Sequence, residues 1–256
     1  MSADAPFAQT SSAQSSSAQI AFAEVDAIES RYHARDWPFA QARAGEIASH
    51  WAALRRERPG LFDGRVLLAD EWRVEARASG PALVTRHFDA PFSAFLAWRD
   101  FGFPDSSVRN CFAAAVLMAR DGAYVLGRMG AQTANAGRVY FPCGTPDMSD
   151  LRAGGVDLAG SVLRELEEET GLAPGEVACD PGWTLVFEGA RLACMKIVRS
   201  PLPAEALVAR IEAFLRAQKE PELCGVHVAR GPGDLLPAMP PFTRAFLARR
   251  FAAQPG

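Results

Sequence analysis

One stretch of this 256-residue sequence decides its fold: Arg164-Glu165-Leu166-Glu167-Glu168-Glu169-Thr170-Gly171-Leu172. At roughly 100° of rotation per helical residue, the aliphatic residues of 158–166 fill one arc of a helix, which predicts a core-facing stripe. Glu165, Glu168 and Glu169 overlap one border of that stripe, whereas Glu167 falls on the opposite, solvent-facing side. The sequence therefore predicts a helix over about 157–170 that ends at Gly171, since glycine is typical of the position after a helix.

The three glutamates on this border have like charges at i, i+3 and i+4. Their repulsion destabilises a bare helix, and partial burial strengthens it because the local dielectric constant falls. A divalent cation would neutralise the cluster, and oxygen-only ligands favour Mg²⁺ or Mn²⁺ over Zn²⁺. Judged on spacing alone, the alternative is a solvated acidic face balanced by Arg164.

The whole string fits the pattern Arg-Glu-(aliphatic)-x-Glu-Glu-x-Gly-(aliphatic) and resembles the second half of the Nudix box. A predicted strand, the turn Pro142-Cys143-Gly144 and a glycine-containing loop precede the helix, as they do in that family. The resemblance covers about 110–200 well and extends to the C-terminal helices. It implies an α/β (α+β) fold, a Nudix-type α/β/α sandwich with a mixed sheet, and a pyrophosphatase that hydrolyses phosphorus-containing acid anhydrides.

The resemblance also assigns roles to residues of this sequence. Glu165, Glu168 and Glu169 match the metal-binding glutamates of the family, and Arg164 matches the arginine that orients them. Arg164 and Glu168 are therefore the expected catalytic residues. Gly171 matches the turn that closes the helix.

Two departures from the family pattern bear on the site. The pattern has a further glutamate eight residues before the arginine, where this chain has Val156. Asp157 stands beside it and falls near Glu168 on the helical wheel, so it either substitutes for that acid or caps the helix. The loop glycine of the pattern falls on Asp150, and Gly144 is the equivalent glycine after an insertion of about six residues.

For the catalytic base and the substrate contacts, the sequence offers several candidate residues. Glu188, in the turn of a late hairpin, and Glu222, after a long helix, are the candidate bases; each is otherwise an ordinary surface acid. Arg128 and Arg138 lie on or beside strands that lead into the loop. They are candidates for contacts with phosphates or a nucleobase, and the alternative is that both extend into solvent at the rim.

The resemblance implies that water attacks a diphosphate linkage with the help of a metal ion, in a nucleoside-diphosphate-linked small molecule. Nucleotide sugars are the first expected substrates, because the architecture is similar to a nucleotide-sugar-cleaving branch of the family. ADP-ribose or dinucleotides rank second, and coenzyme A derivatives rank third. The rival is a Nudix-fold protein that senses a nucleotide and cleaves it weakly or not at all, which Val156 favours. An RNA-end hydrolase is disfavoured, because the net charge is −3 and no basic patch for a phosphate backbone is present.

The rest of the chain sets the context of this domain. We predict a disordered tail over 1–21, an α+β region over 22–105 and the Nudix domain over 106–256. The first part of the α+β region, from Phe22 to about Arg56, has a helical pattern with a break near Trp37-Pro38. The 5 cysteines lack the spacing of a zinc site, no apolar run long enough for a membrane span occurs, and no secretory signal is evident. We therefore expect a cytoplasmic protein that binds neither nucleic acid nor membrane, and a homodimer is left open.

Overall fold

The computed structural model describes residues 20–253. The predicted disordered tail lies outside the described residues, except for Ile20 and Ala21. These two residues belong to the first strand.

The first part of the chain forms four strands and three helices. In chain order they are β1 (Ile20–Val25), β2 (Ala27–Tyr32), α1 (Pro38–Ala42), α2 (Ala44–Glu57), β3 (Arg65–Glu75), β4 (Ala82–Pro91) and α3 (Phe92–Asp100).

The remainder of the described chain forms nine strands and three helices. They are β5 (Asn110–Met118), β6 (Tyr124–Met129), β7 (Val139–Tyr140), β8 (Leu151–Arg152), β9 (Gly155–Val156), α4 (Leu158–Thr170), β10 (Ala178–Cys179), β11 (Trp183–Glu188), β12 (Arg191–Arg199), α5 (Ala204–Ala217), β13 (Leu223–Ala229) and α6 (Pro241–Ala252).

A large mixed sheet forms the centre of the molecule. Its strand order is β1-β11-β12-β5-β6-β13, with β7 paired to β6 and β10 paired to β12. The pair β12–β5 is parallel and the other pairs are antiparallel. All nine residues of β5 are buried, as its continuous apolar run predicts for a strand covered on both faces.

Helices cover both faces of this sheet. On one face, Leu166 of α4 and Ile211 of α5 share a core cluster with Ala113 of β5. On the other face, Phe246 of α6 packs with Ala114, whose side chain points the opposite way along the same strand. The predicted α/β/α sandwich with a mixed sheet is confirmed.

A smaller sheet of order β2-β4-β3 packs beside the large one. Leu67 and Leu83 of this small sheet belong to the core cluster on the α4 side of the large sheet. On the other face of the small sheet, Leu68 and Phe88 pack with Trp98 of α3. The small sheet therefore packs with one face against α1–α3 and with the other against the domain that carries the glutamate-rich helix.

The prediction of a helix from Phe22 to about Arg56 is wrong over its first part. Residues 20–32 form β1 and β2, and the first helix begins at Pro38. β1 pairs with β11, and β2 runs parallel to β4. Pairing with remote strands overrides a weak local pattern, because strand formation depends on its neighbours more than on intrinsic preference. The division at about residue 105 stays a prediction, and β1 lies in the large sheet rather than with the rest of the N-terminal region.

None of the helices within residues 20–253 is long and apolar enough to span a lipid bilayer.

Candidate active site

Helix α4, which carries the glutamate cluster, is capped at both ends. The Asp157 carboxylate accepts the Gly160 N–H at 2.9 Å at the start of the helix. Gly171 has a φ of 72° at its end and donates its N–H to the Glu167 carbonyl at 2.8 Å. A left-handed residue at this position favours glycine, and the predicted helix boundaries are confirmed.

The glutamates of α4 differ in their exposure. Glu169 is buried, and the side chain of Glu165 retains only 13% of its exposure. The Glu168 side chain is 59% exposed, and Glu167 faces solvent as the helical wheel predicts. Two of the three expected metal ligands therefore point into the protein, and the third lies at its surface.

The turn Pro142–Gly144 packs directly on the buried glutamates. The Cys143 N–H donates to Oε1 of Glu169 at 3.3 Å. A Cβ atom on Gly144 would lie 2.4 Å from Oε1 of Glu165, which is far inside van der Waals contact. The predicted loop glycine is therefore needed because the Glu165 carboxylate occupies the space of a side chain.

Burial and mutual repulsion disfavour the charged forms of these carboxylates. Burial, followed by repulsion from Glu168, Glu222 and Asp150, raises the pKa of Glu165 to about 7 against the attraction of Arg164. Burial likewise raises the pKa of Glu169 well above its ordinary range, with the charges of Glu165 and Glu222 adding to the effect. A cation bound between them would offset this cost.

Glu222 belongs to the same acidic cluster. Its charge raises the pKa of both Glu165 and Glu169, although it lies just before β13 and far from α4 in sequence. The residue is exposed, and its backbone carbonyl accepts the Gly130 N–H at 2.7 Å. Of the two candidate bases, Glu222 is the one whose charge acts on the α4 glutamates.

Tyr140 is a member of the site that sequence reasoning missed. It is buried at the end of β7, and its hydroxyl accepts a hydrogen bond from Nδ2 of Asn135 at 3.0 Å. Burial, then the nearby charges of Cys143 and Glu169, raises the pKa of Tyr140. The phenol therefore stays neutral beside the glutamates, and the signal that could have found it is its place just before the Pro142 turn.

Arg164 connects three carboxylates. Its Nη2 donates to both oxygens of Asp150, at 3.1 and 3.0 Å. Its Nη1 lies 3.0 Å from Oε1 of Glu165 and 3.2 Å from Oε2 of Glu168. Arg164 therefore contacts two of the α4 glutamates, and the orienting role that the resemblance implies for it stays a prediction.

Asp150 rather than Asp157 is the acid that pairs with Arg164. Asp157 is exposed and caps α4, so the capping role is the one its side chain performs. Asp150 is buried at the end of a 3₁₀ turn, Met148–Asp150. Sequence reasoning missed it because it lies 14 residues before Arg164, within the insertion. The Asp-x-x-Asp pattern of 147–150, which forms a capping box, is the available signal.

Glu188 does not join the cluster. It is buried at the end of β11 and accepts the Phe242 N–H of α6 at 3.1 Å. It also accepts a bond from Nη1 of Arg191 at 3.1 Å. Because α6 covers the sheet face opposite to α4, the structure does not bring the Glu188 carboxylate to the α4 glutamates, and its contacts join β11 to α6.

Arg128 and Arg138 flank the strand that leads to the turn. Arg128 on β6 is half-buried and opposite Val139 of β7, and Arg138 is exposed just before β7. Within residues 20–253, neither guanidinium has a hydrogen-bonded or ion-paired partner in the protein. Both remain available for an anionic ligand.

The donors of this cluster suit a hard cation. Glu165, Glu168, Glu169 and Glu222 offer only carboxylate oxygens, the ligand type preferred by Mg²⁺ and Mn²⁺. As the side chains stand, no group of three or more His, Cys, Asp or Glu within residues 20–253 converges on a metal position. The residues fit such an ion by the chemistry of their donors and by the mutual repulsion that raises the pKa of Glu165 and Glu169.

No family model matches this sequence, and no curated protein matches it. Among solved structures, a Nudix hydrolase from M. Smegmatis, RenU, is similar at 13% identity and a TM-score of 0.35, over 55% of this chain and 81% of its own.

Two further solved structures are similar at the same level. A MutT protein from Methanosarcina mazei Go1 is 16% identical with a TM-score of 0.35, over 57% of this chain and 98% of its own. The Bacillus subtilis pyrophosphohydrolase BsRppH, in a mutant form, is 17% identical with a TM-score of 0.27, over 53% of this chain and 68% of its own. Such likenesses do not by themselves assign the chain to a family.

Proposed function

We propose that this protein is a Nudix-type hydrolase that uses Mg²⁺ or Mn²⁺ to cleave a diphosphate bond in a nucleoside-diphosphate-linked small molecule. The observation that carries the proposal is the Arg164–Leu172 string, whose Glu169 is buried and whose Glu165 is largely buried against the Pro142–Gly144 turn. Two buried carboxylates that repel each other destabilise the fold unless a bound cation neutralises them.

Glu165, Glu168 and Glu169 are the residues that would hold the cation, with Glu222 as a further oxygen donor. When bound, the cation screens the charge of the diphosphate and polarises its phosphorus–oxygen bonds. Arg164 keeps two of these carboxylates oriented through its Nη1 contacts. Tyr140 offers a neutral hydroxyl beside them.

Glu222 is the residue we assign as the general base. Its carboxylate is exposed to solvent, and its charge raises the pKa of both Glu165 and Glu169, which supports a place beside the proposed cation site. It would accept a proton from the water that attacks phosphorus. Arg128 and Arg138, which have no protein partner within residues 20–253, would bind the substrate phosphates.

Nucleotide sugars are the first substrate class to test, followed by ADP-ribose and dinucleotides, then coenzyme A derivatives. Loops and added elements around the site would select among them, and the N-terminal region is the largest such addition. The net charge of −3 disfavours capped RNA.

A protein that binds a nucleotide without cleaving it is the second candidate function. The buried Val156 favours it, because an apolar side chain fills the box position where the family has an acid. The ion pair between Arg164 and Asp150 opposes it, since another acid orients the arginine instead.

The experiment is a magnesium-dependent hydrolysis screen over a nucleotide sugar, ADP-ribose, a dinucleotide, coenzyme A and capped RNA. Glu168→Gln should lower turnover by orders of magnitude while the fold is retained. Glu167→Gln is the matched control, because it removes the same charge from the solvent side of the same helix and should leave turnover unchanged. Equal activity of the two variants would refute the assigned site, and tight binding without turnover would favour the sensor.

A further inference from the structure

We propose that Asp150 is a positioning residue for the proposed cation site and that the small sheet β2-β4-β3 holds it in place. This inference deepens the proposed function and rests on it. It assigns a role both to the insertion before α4 and to the N-terminal region, neither of which belongs to the box itself.

Strand β3 holds the start of the inserted segment. The Leu67 N–H donates to the Pro146 carbonyl at 2.6 Å, and Val66 forms a β-bridge with Asp147. The Asp147 N–H donates in turn to Oδ2 of Asp150 at 2.9 Å. A continuous set of hydrogen bonds therefore leads from the small sheet to the buried carboxylate.

Strand β2 holds the other end of the segment, the hairpin β8–β9. The Tyr32 N–H donates to the Gly154 carbonyl at 2.9 Å. A Cβ atom on Gly155 would lie 2.3 Å from the carbonyl oxygen of Ser30, so the hairpin is in direct contact with the backbone of β2. The inserted segment is thus fixed by two strands of the same sheet.

Asp150 contacts Arg164, and Arg164 in turn contacts two of the acids of α4. Nη2 lies within hydrogen-bond distance of both Asp150 oxygens, so the buried carboxylate holds that end of the planar guanidinium in place. Nη1 is then directed at Glu165 and Glu168. The insertion therefore supplies the acid that Val156 cannot.

The first test compares two variants of the same loop by Mn²⁺ binding, measured by electron paramagnetic resonance and calorimetry. Asp150→Asn removes the charge that faces Arg164, and we expect the Kd for Mn²⁺ to rise by about tenfold or more, the usual effect of losing a partner of a metal ligand. Asp147→Asn is the matched control. It removes one charge three residues away and keeps a residue type that still caps the turn, so its Kd should change by less than about twofold.

Thermal unfolding without added cation separates positioning from a merely structural role. A structural role of Asp150 predicts a lower Tm with an unchanged Kd for the folded protein, and that result would overturn the inference. A raised Kd at temperatures where the variant is fully folded supports it.

A second pair of variants tests the contact between β2 and the β8–β9 hairpin without changing any charged residue. Gly155→Ala pushes the hairpin away from Ser30, and we expect the Kd for Mn²⁺ to rise. Ala153→Gly, in the same hairpin, relieves a φ of 48° and leaves the Ser30 contact intact, so its Kd should be unchanged. If Asp150→Asn fails to fold, this pair decides the question.

Glu169→Gln distinguishes failure of this inference from failure of the proposed function. Loss of Mn²⁺ binding in Glu169→Gln together with normal binding in Asp150→Asn and Gly155→Ala would overturn the positioning role alone. Absence of Mn²⁺ binding in the parent protein, or unchanged binding in Glu169→Gln, would overturn both.

Discussion

Replacement of Gly144 by alanine changes the position of one proposed metal ligand and no charged residue. The backbone of Gly144 is outside the left-handed region, so alanine is compatible with its conformation. The three atoms nearest to the new methyl group all belong to the Glu165 carboxylate, whose Oε1 would lie 2.4 Å from it. Gly144→Ala therefore acts on one proposed ligand while leaving the loop backbone unstrained.

The expected magnitude follows from this distance. Ordinary contact begins at 3.4 Å, so the carboxylate must retreat by about 1 Å. Glu165 is nearly buried and contacts Arg164 at 3.0 Å, so its retreat also disturbs that contact. A misplacement of about 1 Å at a reacting centre costs roughly a hundredfold in rate, and overpacking costs about 1–3 kcal/mol of stability.

The assay is kcat/KM for the best substrate of the screen, with Tm measured in parallel. Gly175→Ala is the control, because its methyl group meets no atom within 4 Å. Glu165→Asp provides a second background, since its shorter side chain makes room for the methyl group and should reduce the effect of Gly144→Ala. Wild-type kcat/KM in Gly144→Ala, or an equal loss in both backgrounds, would refute the reasoning.

Two further predictions concern pH and the helix cap. Glu165 has a pKa of about 7 in the folded protein against an ordinary 4.5, so the unfolded chain releases its proton first. Without a divalent cation, the free energy of unfolding should therefore fall as pH rises from about 4.5 to 7, by up to roughly 3 kcal/mol from this group, and denaturant unfolding of Glu165→Gln should show a weaker fall. Asp157→Ala should cost about 1 kcal/mol of stability through the lost cap and leave the Mg²⁺ concentration for half-maximal activity unchanged; a raised Mg²⁺ requirement in the folded variant would instead give Asp157 a role in the site.

The sequence alone determined the features that depend on neighbours within one helical turn. The wheel placed Glu167 in solvent and Glu165 and Glu169 at the core border, because the helical repeat fixes which face a residue occupies. Gly171 was readable as the end of α4, because a left-handed residue favours glycine. The buried run of β5 was readable from its composition alone.

The tertiary structure decided every feature that joins distant segments. Glu222 and Glu188 were equivalent acids in the sequence, and only the topology brings one to α4 and the other to the start of α6. Asp150 reaches Arg164 because two strands of the small sheet fix the insertion. The segment 20–32 became two strands for the same reason, since hydrogen-bonding partners that are remote in the chain decide what a weak local pattern cannot.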